Sequence, residues 1–276
     1  MKLNRNGFGL QVSAAIAIAA SMPSLTNAAD YTLYDAGSTA HVNVDSDAGM
    51  DHWDVGGGNQ LQKQWFYYRI GNTTTASTIN SISAASLDYY TGNSLGVTYN
   101  NGTISLSIEY ALNGGGIGSG DADILESIWV QNLTGGNIDL HFFQYSNFDL
   151  LGALGDNVSI GFSGSGYDSV TQWEGAFGIT ETITSPEADR AEANVAFNTE
   201  NDLMNTIGYN LNNTLSVMNT DATWAFQWDR SLGAGEGLFV FKDKSMSIPQ
   251  VPEPSTAALI ALGLAGLRVL ARRKSS

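Results

Sequence analysis

Four carboxylates fall within the ten residues Asp45-Ser46-Asp47-Ala48-Gly49-Met50-Asp51-His52-Trp53-Asp54. Oxygen ligands of this kind are what a hard, seven-coordinate Ca2+ takes. The spacing is not that of an EF-hand. Counting Asp45 as the first position, the fifth is Gly49, the sixth, where the EF-hand turn needs glycine, is Met50, and the twelfth is Gly56 in place of glutamate. The expectation is a loop cation, Ca2+, held by Asp45, Asp47, Asp51 and Asp54, with a solvated acidic loop as the alternative.

Other residue patterns point to chemistry less well. Gly92-Asn93-Ser94-Leu95-Gly96 has the form G-x-S-x-G, but a nucleophile elbow needs a helix after the serine, and Val97 to Gly102 read as strand and turn. His41, His52 and His141 show no metal-protease spacing, and His141 sits among aromatics as a hydrogen-bonded core or interface histidine would. Glycoside hydrolysis needs two carboxyl groups at a set separation. Glu109, Glu126, Asp149 and Glu174 are available, but alternation reads Glu109 and Glu126 as solvated residues on the wet faces of their strands. For stacking against a sugar ring, Trp53, Trp129 and Trp173 are the surface candidates, whereas Trp224, Phe226 and Trp228 alternate as one buried face does. No catalytic constellation emerges, which predicts a protein that is not an enzyme.

The elements that must position these residues are strands. Period-two alternation runs through Ile104 to Tyr110 and Ile124 to Val130. Denser aromatic runs at Gln64 to Arg69, Asp139 to Tyr145, Thr223 to Asp229 and Leu238 to Lys242 belong in the core of a two-sheet stack. Further strands are predicted at 31–35, 78–83, 95–99, 157–163, 168–173 and 176–183. Short helices are predicted to open at Ser185 and Asn198, each with a capping residue followed by early acids. Many short strands, glycine-marked turns and almost no helix predict an all-β fold, an antiparallel β-sandwich of roughly ten or more strands. A small barrel is the alternative.

The chain has no cysteine, so thiol nucleophiles, zinc-thiolate sites and iron–sulfur clusters are excluded and stability must come from burial. Six Trp, 11 Tyr and 11 Phe supply the area. Six of the 12 basic residues lie in the two terminal segments, as does one of the 27 acidic ones. The central domain therefore keeps six basic and 26 acidic residues, a net charge of −20. Such a charge repels nucleic acid and anionic headgroups and favours divalent cations or neutral partners.

Both ends read as sorting signals. Lys2 and Arg5, the apolar run Val12 to Ala20 and the small residues before Ala28 form a secretory signal peptide over residues 1–28, cleaved after Ala28. The β-sandwich domain occupies 29–250 and a tail occupies 251–276. In that tail, Pro252 and Pro254 keep Pro252-Glu253-Pro254 extended outside an apolar helix over 256–271, and Arg272, Arg273 and Lys274 form a basic stop. At 1.5 Å per residue this single membrane helix is about 24 Å long, short of a ~30 Å hydrocarbon core, so it anchors weakly. The tripartite tail resembles the PEP-CTERM signal of Gram-negative bacteria. That resemblance implies recognition and cleavage by the membrane transpeptidase exosortase, a transient membrane tether facing the periplasm, and final placement at the cell surface or outside the cell. Asp51-His52-Trp53, Gln64 to Arg69, His141 to Leu150 and Trp224 to Trp228 are also similar to blocks of an uncharacterised group of exported PEP-CTERM proteins, which implies a shared sandwich and no mechanism. The expected function is a non-enzymatic protein of the cell surface or exopolysaccharide matrix. The alternatives are a carbohydrate-binding module with a loop Ca2+ and a glycan-active hydrolase.

Overall fold

The computed structural model describes residues 30–152 and 155–248. The signal peptide with its cleavage at Ala28, the motif Pro252-Glu253-Pro254, the helix over 256–271 and the stop Arg272, Arg273 and Lys274 lie outside the described residues. Among the described residues no helix is long and apolar enough to cross a membrane.

The strands in chain order are β1 (Asp30–Asp35), β2 (Ser38–Asn43), β3 (Gly49–Val55), β4 (Gly58–Asn59), β5 (Leu61–Ile70) and β6 (Ser77–Thr78). There follow β7 (Ser86–Tyr90), β8 (Ser94–Asn100), β9 (Ile104–Asn113), β10 (Asp121–Asn132), β11 (Ile138–Phe148) and β12 (Asp156–Phe162). The last are β13 (Tyr167–Glu174), β14 (Phe177–Ser185), β15 (Arg190–Val195), β16 (Ser216–Thr220), β17 (Ala222–Leu232) and β18 (Gly237–Ser247), with one α-helix, α1 (Asn198–Asn205), before β16. They form two nine-stranded sheets. The first runs β1-β2-β3-β5-β11-β17-β15 with β4 and β6 at its margin, and the second runs β16-β12-β13-β14-β18-β10-β9-β8-β7. Pairing is antiparallel apart from a short parallel contact of β3 with β5.

The aromatic runs set the layer between the sheets. Phe142 lies opposite Trp228 across β11–β17 and stacks on Phe66 of β5 with ring centroids 5.7 Å apart. Phe148 stacks on Trp224 at 6.0 Å, and Trp224, Phe226 and Trp228 follow one another along the inner face of β17, all fully buried. A buried indole N–H needs an acceptor. Trp224 donates to Gln172 Oε1 at 3.1 Å and Trp228 to the Pro186 carbonyl at 2.9 Å.

The architecture is the predicted antiparallel sandwich, and three local expectations differ. Residues 79–81 form a 3-10 turn in place of a strand, closed by the Ile82 N–H on the Ile79 carbonyl, with Ile79 buried. No helix opens at Ser185, where β14 ends and the chain passes to β15; the helix expected from Asn198 is present as α1. Glu126 is not on a wet face but fully buried. It is in phase with Ile124, Ile128 and Val130, and Leu125, Ser127 and Trp129 form the outer set. Glu109 is exposed as expected.

What keeps Glu126 inside is a quartet of charges between the sheets. Glu126 faces Lys242 across β10–β18 and Glu181 faces Lys244 across β14–β18. Both ammonium groups bond Glu126, Lys244 Nζ lies 3.2 Å from Glu181 and Lys242 Nζ lies 3.7 Å from it. All four side chains are buried. Burial drives the Glu126 carboxyl upward, and the two ammonium groups outweigh it and hold it below its ordinary value. Gln64 and Gln144 of the first sheet close the group, Gln144 donating to Glu181 at 2.9 Å.

Candidate functional site

The outer face of the first sheet carries the remaining dense polar chemistry, because β5, β11, β17 and β15 turn their odd or even set outward in register. Lys63, Tyr67 and Arg69 of β5, His141 and Phe143 of β11, Gln227 and Asp229 of β17, and Arg190 and Glu192 of β15 share this face. Most of it is covered by α1 and by the segment 206–215 that follows. Glu200 of α1 takes hydrogen bonds from Lys63 at 2.5 Å and Tyr67 at 2.7 Å. Buried Glu192 accepts from Thr199 at 2.6 Å, Tyr209 at 2.7 Å, Asn194 at 2.8 Å and the Asn212 N–H at 3.0 Å, which satisfies both of its oxygens. Arg69 reaches the carbonyls of Gly71 and Tyr209 and the side-chain oxygens of Asn72 and Asn210, and its guanidinium lies 5.6 Å from the Phe143 ring centre.

Beyond this cover a cleft stays open, lined by Asn72, Asp139, Leu140, His141, Asp229, Arg230 and Ser231. At its centre His141 Nδ1 lies 2.5 Å from Asp229 Oδ1, the two residues standing opposite each other across β11–β17. Gln227 donates to the same oxygen at 2.6 Å, and Arg190 lies 3.5 Å from the other. Partial burial works against the Asp229 carboxylate, but the hydrogen bonds from His141 and Gln227 and the charges of His141 and Arg190 hold its carboxyl below the usual range. His141 Nε2 is buried and has no hydrogen-bond partner among the described residues. The arrangement fixes the imidazole by one nitrogen, on Asp229, and leaves the other buried beneath the cleft without a partner among the described residues. Arg230 pairs with Asp189, which also accepts the Asp229 N–H at 2.7 Å, so the rim is cross-tied.

The carboxylates expected to hold Ca2+ are not brought together. Asp45 accepts the Ala85 N–H at 2.7 Å, Asp51 lies 2.7 Å from His41 Nδ1, and Asp54 lies 2.9 Å from His52 Nε2, while Asp47 is exposed in the turn. The segment is a hairpin and not a loop. β3 begins at Gly49, so Asp51 and Asp54 are strand residues, and among the described residues no group of three or more acidic, His or Cys side chains is arranged to hold a metal. Trp53 is fully buried, with its indole N–H on Ser38 Oγ at 3.0 Å, and cannot stack on a ligand. Trp129 is exposed and Trp173 half-buried, on separate strands. Ser94 opens β8, with no helix after it. Sequence reasoning missed Asp229, Arg190 and Gln227 as partners of His141. The one available signal was that the blocks 139–145 and 223–229 are both aromatic and equal in length, as paired central strands are.

No curated protein sequence matches the chain. Among solved structures, a candidate aldose 1-epimerase from Escherichia coli K12 superposes with a TM-score of 0.54 at 10% identity, over 80% of this chain and 99% of that one. A bacterial glucoamylase complexed with acarbose gives 0.52 at 9% identity, over 84% of this chain. This chain spans about a third, 33%, of that enzyme. The Slr1438 protein of Synechocystis sp. PCC 6803 gives 0.51 at 9% identity, over 80% and 96% of the two chains. These likenesses are of fold. Residues 250–274 match the family model of the PEP-CTERM protein-sorting motif, so the chain carries that sorting signal, which marks an exported protein for processing by exosortase.

Proposed function

We propose that this is a non-enzymatic protein of the cell surface or exopolysaccharide matrix, held at the inner membrane until its tail is processed. The sorting motif carries this reading. Two features support the choice of a neutral, saccharide-type partner. All six Lys and Arg residues of the domain are engaged internally: Lys63 with Glu200, Arg190 with Asp229, Arg230 with Asp189, Lys242 and Lys244 within the quartet, and Arg69 on carbonyl and amide oxygens. A surface without a free cation does not recruit phosphate or anionic chains. The glucoamylase and the candidate aldose epimerase that share the fold act, by their names, on sugars.

Absence of turnover is supported by the cleft itself. Glycoside cleavage needs, beside an ionised carboxylate, a second carboxyl group kept protonated by a raised pKa, and Asp229 at the centre of the cleft, shifted downward, fits only the first of these. Replacing Pro252-Glu253-Pro254 with alanines should trap a full-length form in the inner membrane. The released wild-type protein should co-sediment with the host's exopolysaccharide without generating new reducing ends. Normal release of the alanine variant would overturn the sorting assignment, and steady release of sugar ends would make the protein a hydrolase.

A further inference from the structure

The outer face of the second sheet has an apolar centre. β10 and β18 are neighbours in the middle of the nine strands, and there Trp129 stands opposite Phe239. Trp129 is 39% exposed and Phe239 49%, with ring centroids 6.4 Å apart. Exposed Leu125 and half-buried Phe241 extend the same patch. Trp129 does not stand up from the sheet. A Cβ placed on Gly237, diagonal to it on β18, would meet indole Cζ2 at 2.5 Å and Cη2 at 2.6 Å. The indole therefore lies over backbone that has no side chain, one face packed and the other available. Any larger residue at 237 would tip it up.

Hydroxyl groups border the rings. Ser107 lies beside Trp129 on β9, and Thr98 continues the row on β8, its hydroxyl 2.7 Å from that of Ser107 and 2.7 Å from Asp88. Ser127 separates Trp129 from Leu125. Sugars with equatorial substituents present flat C–H faces with hydroxyls at their edges, and the Trp129 indole laid against Gly237 beside Ser and Thr, with the Phe239 ring tilted 47° to it, matches that pattern. No cation stands in the patch, and Glu109 and Asp88 flank it, so an acidic chain would be repelled.

We infer that Trp129 and Phe239 form a stacking platform for a neutral, equatorially linked glycan chain, on the face opposite to the His141 cleft. The inference rests on the reading that the protein meets polysaccharide, and narrows it to a place and a chemical class.

The test uses the exported protein released by its host, with cellohexaose and chitohexaose by titration calorimetry and microcrystalline cellulose by co-sedimentation. Trp129→Ala and Phe239→Ala should each weaken binding about tenfold, as loss of one stacked ring predicts. Trp129→Phe should lose less than either, and Ile117→Ala, at an exposed loop residue elsewhere, nothing; an unchanged far-ultraviolet spectrum shows that each variant is folded. If the wild type binds and both alanine variants bind equally well, the platform is wrong while the polysaccharide reading stands. Co-sedimentation with host exopolysaccharide but with none of the neutral probes would overturn the glycan class, and binding to neither would remove both readings. A concentration-dependent dimer that Trp129→Ala abolishes would make the patch a self-interface and also overturn the proposal.

Discussion

The same two strands place charge inside and aromatic rings outside. Across β10–β18, Glu126 faces Lys242 in the buried layer, and three residues along, on the other side, Trp129 faces Phe239 in water. Ordinary polarity would exchange them. The difference teaches that a strand's parity assigns residues to faces, whereas the partners supplied by other strands decide what each face tolerates. Glu126 is tolerated inside because two lysines of β18, Glu181 of β14 and two glutamines of the first sheet surround it. Trp129 is tolerated outside because Gly237 leaves it a bed.

The largest expected effect comes from breaking the inner half of that comparison. Glu126→Leu alone leaves two ammonium groups sharing Glu181 and should cost about 3 to 5 kcal/mol, measured by chemical denaturation. Replacing all four residues together by leucine and methionine should cost far less, since the uncompensated charge is then gone. A single variant as stable as the wild type would show that the quartet is not the paired cluster described.

Next come the two tryptophans. Trp224→Ala removes a fully buried ring stacked on Phe148 and should cost about 3 to 5 kcal/mol. Trp129→Ala should cost about 1 kcal/mol or less, because much of its ring is already in water. Equal losses would place Trp129 in the structural core and remove the contrast between the two faces.

A further expected effect is a pH slope. Asp156 is buried, and burial pushes its carboxyl up to about 7 against the opposing hydrogen bonds from Gln172 and the Leu150 N–H, with the nearby Glu174 adding to the rise. A carboxyl whose folded pKa exceeds its unfolded one holds more protons in the folded state. Stability is then full below the unfolded value near 4, declines as pH rises to about 7, and is flat above. Asp156→Asn should flatten that decline in melting temperature between pH 4 and pH 7. An undiminished slope in the variant would assign it to another group.

Strand periodicity made the sandwich legible, and the alternation of Trp224, Phe226 and Trp228 identified their buried face, because that run offers only one apolar parity. Residues 124–130 offer two, Ile124, Ile128 and Val130 against Leu125 and Trp129, and there the phase of Glu126 was misread. The acidic stretch 45–54 failed for a related reason. A run of carboxylates reads as a loop until a partner strand is known, and β2 pairs with its second half as β3. The His141 cleft was illegible beyond the histidine, since Asp229 is 88 residues away and only strand pairing brings it within 2.5 Å.

By itself, then, the sequence determined the all-β class, the aromatic core strands, the −20 charge of the domain and the sorting tail, each a property of local order or of composition. Only the tertiary structure decided which face of each strand is wet, that the domain's six cations are all engaged internally, and that Trp53 is buried while Trp129 lies open. Those outcomes are set by pairing and sheet stacking between residues distant in the chain, whose energies no single segment contains.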